Sequence, residues 1–150
     1  MNRNEAIKNI QVAVGKSWCQ FLMPYIDILD SEKPAESIEK VKLDMADYVP
    51  SKPYTNELHD CEDSGFEKVG HKTRKNRGWM GIAHNSKHFF DVLVDEDGTL
   101  WVDAWGRWER YIDVILRPSM AKYFKLRGVR LLPIKCWLHG RCITWDIVMI

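Results

Sequence analysis

Two β-type runs folded about one acidic turn constrain this chain more than any other feature. Phe89-Phe90-Asp91-Val92-Leu93-Val94 and Thr99-Leu100-Trp101-Val102-Asp103-Ala104-Trp105 are rich in aromatic and β-branched residues, and Asp95-Glu96-Asp97-Gly98 between them carries hairpin turn chemistry. If Val94 faces Thr99, residue numbers across the ladder add to 193, which sets Phe90 opposite Asp103 and His88 opposite Trp105. The period of two then gives His88, Phe90 and Asp103 one sheet face and Asp91 the other, so that Asp91→Asn is expected to matter little. Asp103 lies diagonal to His88 in this register, and diagonal positions sit about 7–8 Å apart, within reach of an imidazole and a carboxylate leaning together. A three-residue turn reverses that parity.

Around the hairpin the chain reads as helices first and paired strands later. Ile7, Ile10, Val14, Trp18, Phe21 and Tyr25 recur at three- and four-residue intervals, the stripe of an amphipathic helix from about Asn4 to Met23 that Pro24 ends or kinks. Ser37 can cap a short helix whose apolar face is Ile38, Val41 and Met45. Residues from Tyr48 to Leu58 hold Pro50 and Pro53 and read as irregular; Phe66 and Val69 then suit a helix that starts at Cys61. Gly70 to Arg77 reads as a basic loop and Trp79 to Ala83 as a strand turning at Asn85-Ser86. Trp108 to Ile115 fits helical spacing, Ser119 to Leu126 a second short helix, and Val129–Trp137 and Cys142–Ile150 two strands. This order argues for α+β, with N-terminal helices packed on an antiparallel sheet in one domain over 1–150: a helical part at about 1–47, a motif region at 59–105, and a C-terminal helix and hairpin at 107–150.

A formal charge of +1 provides no basic face for phosphate backbones, so nucleic acid is not an expected partner. No run approaches the ~20 apolar residues of a membrane span and the N-terminus is polar, which points to a cytoplasmic protein without membrane contact. Cys19, Cys61, Cys136 and Cys142 lack CxxC spacing and read as thiols. Ser17-Trp18-Cys19 sits inside a continuous helical pattern, where backbone N–H groups are already used, so Cys19 reads as a structural thiol.

Cys61 is different, because a helix's first turn offers unpaired N–H groups and the positive end of the dipole, which favour thiolate, the nucleophilic form. With His88 and Asp103 following it, the chain holds the three side chains that thiol-based acyl transfer uses: nucleophile, proton shuttle and orienting carboxylate. Asp60-Cys61-Glu62-Asp63, His88 opening a strand and Asp103 on the next resemble the transglutaminase-like superfamily, in particular bacterial transglutaminase-like cysteine proteinases and small phage-borne relatives. The resemblance covers 59–105 and implies a papain-like arrangement, with the Cys at a helix start and the His and Asp on adjacent strands. It implies a cysteine hydrolase or acyltransferase acting on an amide or isopeptide bond of a protein or peptide, with no cofactor required.

The resemblance also implies calcium on Asp60, Glu62 and Asp63; read from the residues alone, Asp60 is instead a helix N-cap with Asp63 at the third helical position. Trp101 and Trp105 are candidates for the wall of a substrate groove. Ser64-Gly65 stands where the family carries an aromatic residue and alanine, which motivates a second reading: a catalytically idle binding or assembly module on the same fold. The substrate is not legible in the sequence.

Overall fold

The computed structural model describes residues 1–15, 26–28, 33–55, 61–75, 78–85, 87–126, 135–138, 141–144 and 147–149. Within them run α1 (Arg3–Gly15), β1 (Ile26–Ile28), α2 (Ile38–Met45), α3 (Cys61–Lys75), β2 (Trp79–His84), β3 (Phe89–Val94), β4 (Leu100–Ala104), β5 (Arg107–Arg110), α4 (Tyr111–Ile115), α5 (Pro118–Phe124), β6 (Lys135–Leu138), β7 (Arg141–Thr144) and β8 (Ile147–Met149). The main sheet has the order β1-β8-β2-β3-β4-β5, and β6-β7 form a separate pair. Strands β2 to β5 are an antiparallel meander, β8 joins β2 antiparallel, and β1 lies parallel to β8 at the edge. The fold is α+β. Among the described residues no helix is long and apolar enough to cross a membrane.

Helices cover both faces of the sheet, and strand periodicity sorts the core into two layers. Phe90, Val92 and Val94 of β3 and Leu100, Val102 and Ala104 of β4 pack against Ala6, Ile10 and Val14 of α1, Tyr111 and Val114 of α4, and Phe124 of α5. Leu93 of β3 with Met80 and Ile82 of β2 faces the other way, against Ile38 and Val41 of α2 and Val69 of α3. Each layer removes several large side chains from water, at about 1.5–3 kcal/mol apiece before chain entropy is counted. Ser37 caps α2 as expected, its Oγ accepting from Lys40 N–H at 3.2 Å.

The hairpin forms, but in the other register. Val92 faces Val102, Leu93 faces Trp101 and Val94 faces Leu100, so paired numbers add to 194 rather than 193. Asp95 causes the shift. Its Oδ1 accepts the N–H of Asp97 and of Thr99, both at 2.9 Å, while its own N–H donates to Thr99 O at 3.1 Å. Asp95 and Thr99 thereby close the ladder themselves, and Glu96-Asp97-Gly98 is a three-residue turn with Gly98 at φ 78°, a left-handed position that suits glycine. Parity reverses. Continued one step, the ladder sets Asp91 opposite Asp103, so the expectation that Asp91 lies on the far face is overturned.

Three element boundaries also differ from the sequence reading. The segment from Gly70, read as a basic loop, continues α3 to Lys75; buried Val69 anchors the helix, and Gly70 has open space around it. Trp108 belongs to β5 rather than to a helix, which starts only at Tyr111. The expected C-terminal hairpin forms as β6–β7, but the strand expected over Cys142–Ile150 is divided, and its end enters the main sheet beside β2 as β8. The stretch holding Trp18, Cys19, Phe21 and Tyr25 lies outside the described residues.

Candidate active site

Where β3 begins and β4 ends, a cavity of about 570 Å³ opens between α3, the sheet end and α5. Its wall includes Ser64, Gly65 and Lys68 of α3, His88, Asp91, Asp103, Trp105 and Tyr123. Cys61 opens α3, so Ser64 and Lys68 follow it by about one and two helical turns. The side chains of Cys61, Glu62 and Asp63, and the whole of Asp60, lie outside the described residues, and with them the expected calcium ligands.

His88 is held by its neighbour Asn85. The buried Asn85 side chain accepts the N–H groups of Lys87 and His88, each at 3.1 Å, and its Nδ2 donates to Lys125 O at 3.2 Å and Lys122 O at 3.5 Å. One amide thus fixes the β2–β3 turn and ties it to the end of α5. The imidazole sits among rings: Phe124 edge-on at 5.2 Å, Trp105 at 5.8 Å, Phe90 stacked at 5.9 Å and Tyr123 at 6.4 Å. Burial in this apolar setting lowers the His88 pKa; the Asp103 charge pulls it back up and the Lys68 charge lowers it further.

Asp103 is buried, and both its oxygens are engaged. Lys68 Nζ donates to Oδ2 at 2.6 Å, and Gly106 N–H donates to Oδ1 at 2.7 Å. The second bond comes from a two-residue turn between Ala104 and Arg107, with Trp105 at φ 52° and Gly106 at φ 95°. Both lie in the left-handed region; for a bulky residue such as Trp105 that is uncommon and costs of order 1–3 kcal/mol. The turn projects Trp105 outward, 56% exposed, beside His88. The Lys68–Asp103 pair also lines a second cavity of about 480 Å³ with Lys42, Tyr48, Arg107 and Trp108, and so stands between the two.

The structure therefore brings His88, Asp103 and Trp105 together against α3, with the His88–Asp103 coupling acting through space: among the described residues, the hydrogen bonds of Asp103 go to Lys68 and Gly106. Trp101 separates from them. Its indole N–H donates to Asp95 Oδ2 at 2.8 Å and its ring packs in the α2–α3 layer with Lys42 Nζ 5.7 Å above it, away from the cavity wall.

Three site residues escaped the sequence reading. Lys68 follows Cys61 by seven positions, two turns along the same helix, a spacing that was available as a signal. Asp91 came to light only with the register. Asn85 reads from sequence as a turn residue, and its cross-links to α5 have no local signature. Tyr48 borders the same region: burial first, then the Glu67 charge, push its hydroxyl up to about 12, with Asp91 adding to the effect. No family model, curated protein or solved structure matches this chain.

Proposed function

We propose that this protein is a cysteine hydrolase or acyltransferase acting on an amide or isopeptide bond of a protein or peptide. Cys61 is the nucleophile, His88 the proton shuttle and Asp103 the orienting carboxylate. One observation carries the reading: Ser64 and Gly65, within about a turn of Cys61, share a cavity with His88 and Asp103. The free N–H groups and dipole at the start of a 15-residue helix ease loss of the Cys61 thiol proton to His88. Neutral His88 takes the Cys61 thiol proton as the sulfur attacks the carbonyl carbon and the C–S bond forms; it then delivers that proton to the leaving amine as the C–N bond breaks, and the thioester results. Water or an acceptor amine, deprotonated by His88, then attacks the thioester and releases the thiolate. In this reading the N–H of Cys61 is a donor to the oxyanion. Trp105, exposed and in ring contact with His88, Tyr123 and Phe124, flanks the substrate groove.

Asp103 retains capacity for this role. A carboxylate has about four acceptor positions, and Lys68 and Gly106 use two. The expected results are loss of amide or isopeptide turnover in Cys61→Ala, its retention in Cys19→Ala, and a ~10–10³-fold loss in Asp103→Asn, less than in a serine triad because a thiol is far more acidic than a serine hydroxyl and leans less on the third member. Turnover that survives Cys61→Ala contradicts the assignment.

A second reading is a binding or assembly module without turnover. The short Lys68–Asp103 bond favours it, since it commits the carboxylate away from His88, whose ring is packed among aromatics. That reading expects peptide binding in the cavity with Cys61→Ala unchanged in affinity.

A further inference from the structure

We infer that Asp91 is the neutral, proton-carrying member of a carboxyl pair with Asp103, and that through this pair it keeps the His88 imidazole uncharged. The pairing follows from the register. The observed ladder ends at Val92 facing Val102, and continued by one residue it sets Asp91 opposite Asp103 on the α3 side of the sheet, where Lys68 reaches Asp103 at 2.6 Å and a Cβ on Gly65 would come within 3.3 Å of Asp91 Oδ1. Side chains directly opposite in an antiparallel ladder have Cβ atoms about 4.5–5.5 Å apart, and two like charges there repel strongly in a buried setting.

The surroundings decide which carboxyl yields. Asp103 has a cation and a backbone N–H on its two oxygens. Asp91 is 2% exposed and its Oδ1 has no partner among the described residues. A charge on Asp91 would be buried with one oxygen unsolvated, whereas a charge on Asp103 is balanced at contact. The proton therefore belongs on Asp91, in accord with the direction in which burial and the Asp103 charge drive its pKa, well above the carboxylate range, with Lys68 opposing.

Lys68 from α3 and Asp103 from β4 act on Asp91; the Tyr48 phenol feels Asp91 and Glu67, and His88, on the wall of the same cavity, feels the same Lys68 and Asp103. With Asp91 neutral, Lys68 and Asp103 cancel, burial dominates at His88, and the imidazole stays an unprotonated base. An ionised Asp91 would leave the cluster with one excess negative charge and draw a proton onto His88. Gly65 belongs to the same device, because its missing methyl leaves room for the carboxyl beneath α3. The consequence for catalysis rests on the proposed role of His88 as base; the proton on Asp91 does not.

The test is carboxyl and imidazole NMR on the full chain, which needs no substrate. In the wild-type protein the Asp91 ¹³C carboxyl resonance, assigned by its loss in Asp91→Asn, should keep its protonated shift while ordinary carboxyls titrate near ~3.9. Asp91→Asn, neutral and of the same shape, should leave the His88 titration midpoint within ~0.3 of wild type, while Asp103→Asn should lower it, because a negative charge is removed. The inference is overturned if Asp91 titrates with the ordinary carboxyls, or if Asp91→Asn lowers the His88 midpoint as far as Asp103→Asn does. Should Asp91→Asn not fold, per-residue ¹³C assignment of the wild-type carboxyls decides alone. Absence of turnover in any substrate screen, with these titrations as expected, counts against the enzyme reading only.

Discussion

Two residues at the site carry opposite pH signatures. His88 has its pKa lowered in the folded protein, by burial before anything else, so the unfolded chain takes up this proton first as pH falls. Stability is expected to drop from about pH 6.5 downward until the folded-state midpoint is passed, and His88→Gln should remove that part of the pH dependence in urea titrations. Asp91 runs the other way. Its folded pKa is raised, so its contribution is fully present below the ordinary carboxyl range and is lost as pH rises towards the folded value. Asp91→Asn should therefore gain on wild type as pH rises above ~4, by at most about 1.4 kcal/mol per pH unit, and level off once the raised value is passed. A gap between the two proteins that does not change with pH contradicts a protonated Asp91.

The β2–β3 turn is the element on which the site depends, because Asn85 satisfies two N–H groups at its start and two carbonyls at the end of α5. Asn85→Ala should cost about 1–2 kcal/mol in chemical denaturation, since it leaves two partly buried N–H groups and two carbonyls without their amide partner, and should broaden or shift the His88 ring resonances. Unaltered His88 resonances would show that the packed rings alone hold the imidazole. Elements with local causes were legible in the sequence: the Ser37 cap, the helix start at Cys61, the strand from Trp79 and the existence of the hairpin. What was not legible depended on single backbone states or distant partners. Asp95 drew Thr99 out of the free strand and flipped every side chain of β4 relative to β3. Trp105 adopted a positive φ that its residue type disfavours, which let β5 fold back where helical spacing had been read. Asp103 reaches the cavity with His88 although the register differs from the one the sequence predicts, because that cavity wraps the end of the sheet and collects groups from both faces.

At the scale of the whole molecule, one sheet clamped between α1, α4 and α5 on one side and α2 and α3 on the other fixes two opposed surfaces, and the site lies at the end where they meet. The α1 side contributes the aromatic setting whose burial lowers the His88 pKa; the α3 side contributes the carboxyl pair and Lys68. The proposed chemistry needs one thing more, an activated thiol where α3 starts. Alkylation rates of the four cysteines with iodoacetamide near neutral pH, followed residue by residue by mass spectrometry, measure that directly. Activation predicts that Cys61 reacts at least ~10-fold faster than Cys19, Cys136 and Cys142 in the folded protein, and that the advantage shrinks in His88→Gln. A Cys61 no more reactive than the other three would contradict the assignment of this cavity to thiol catalysis.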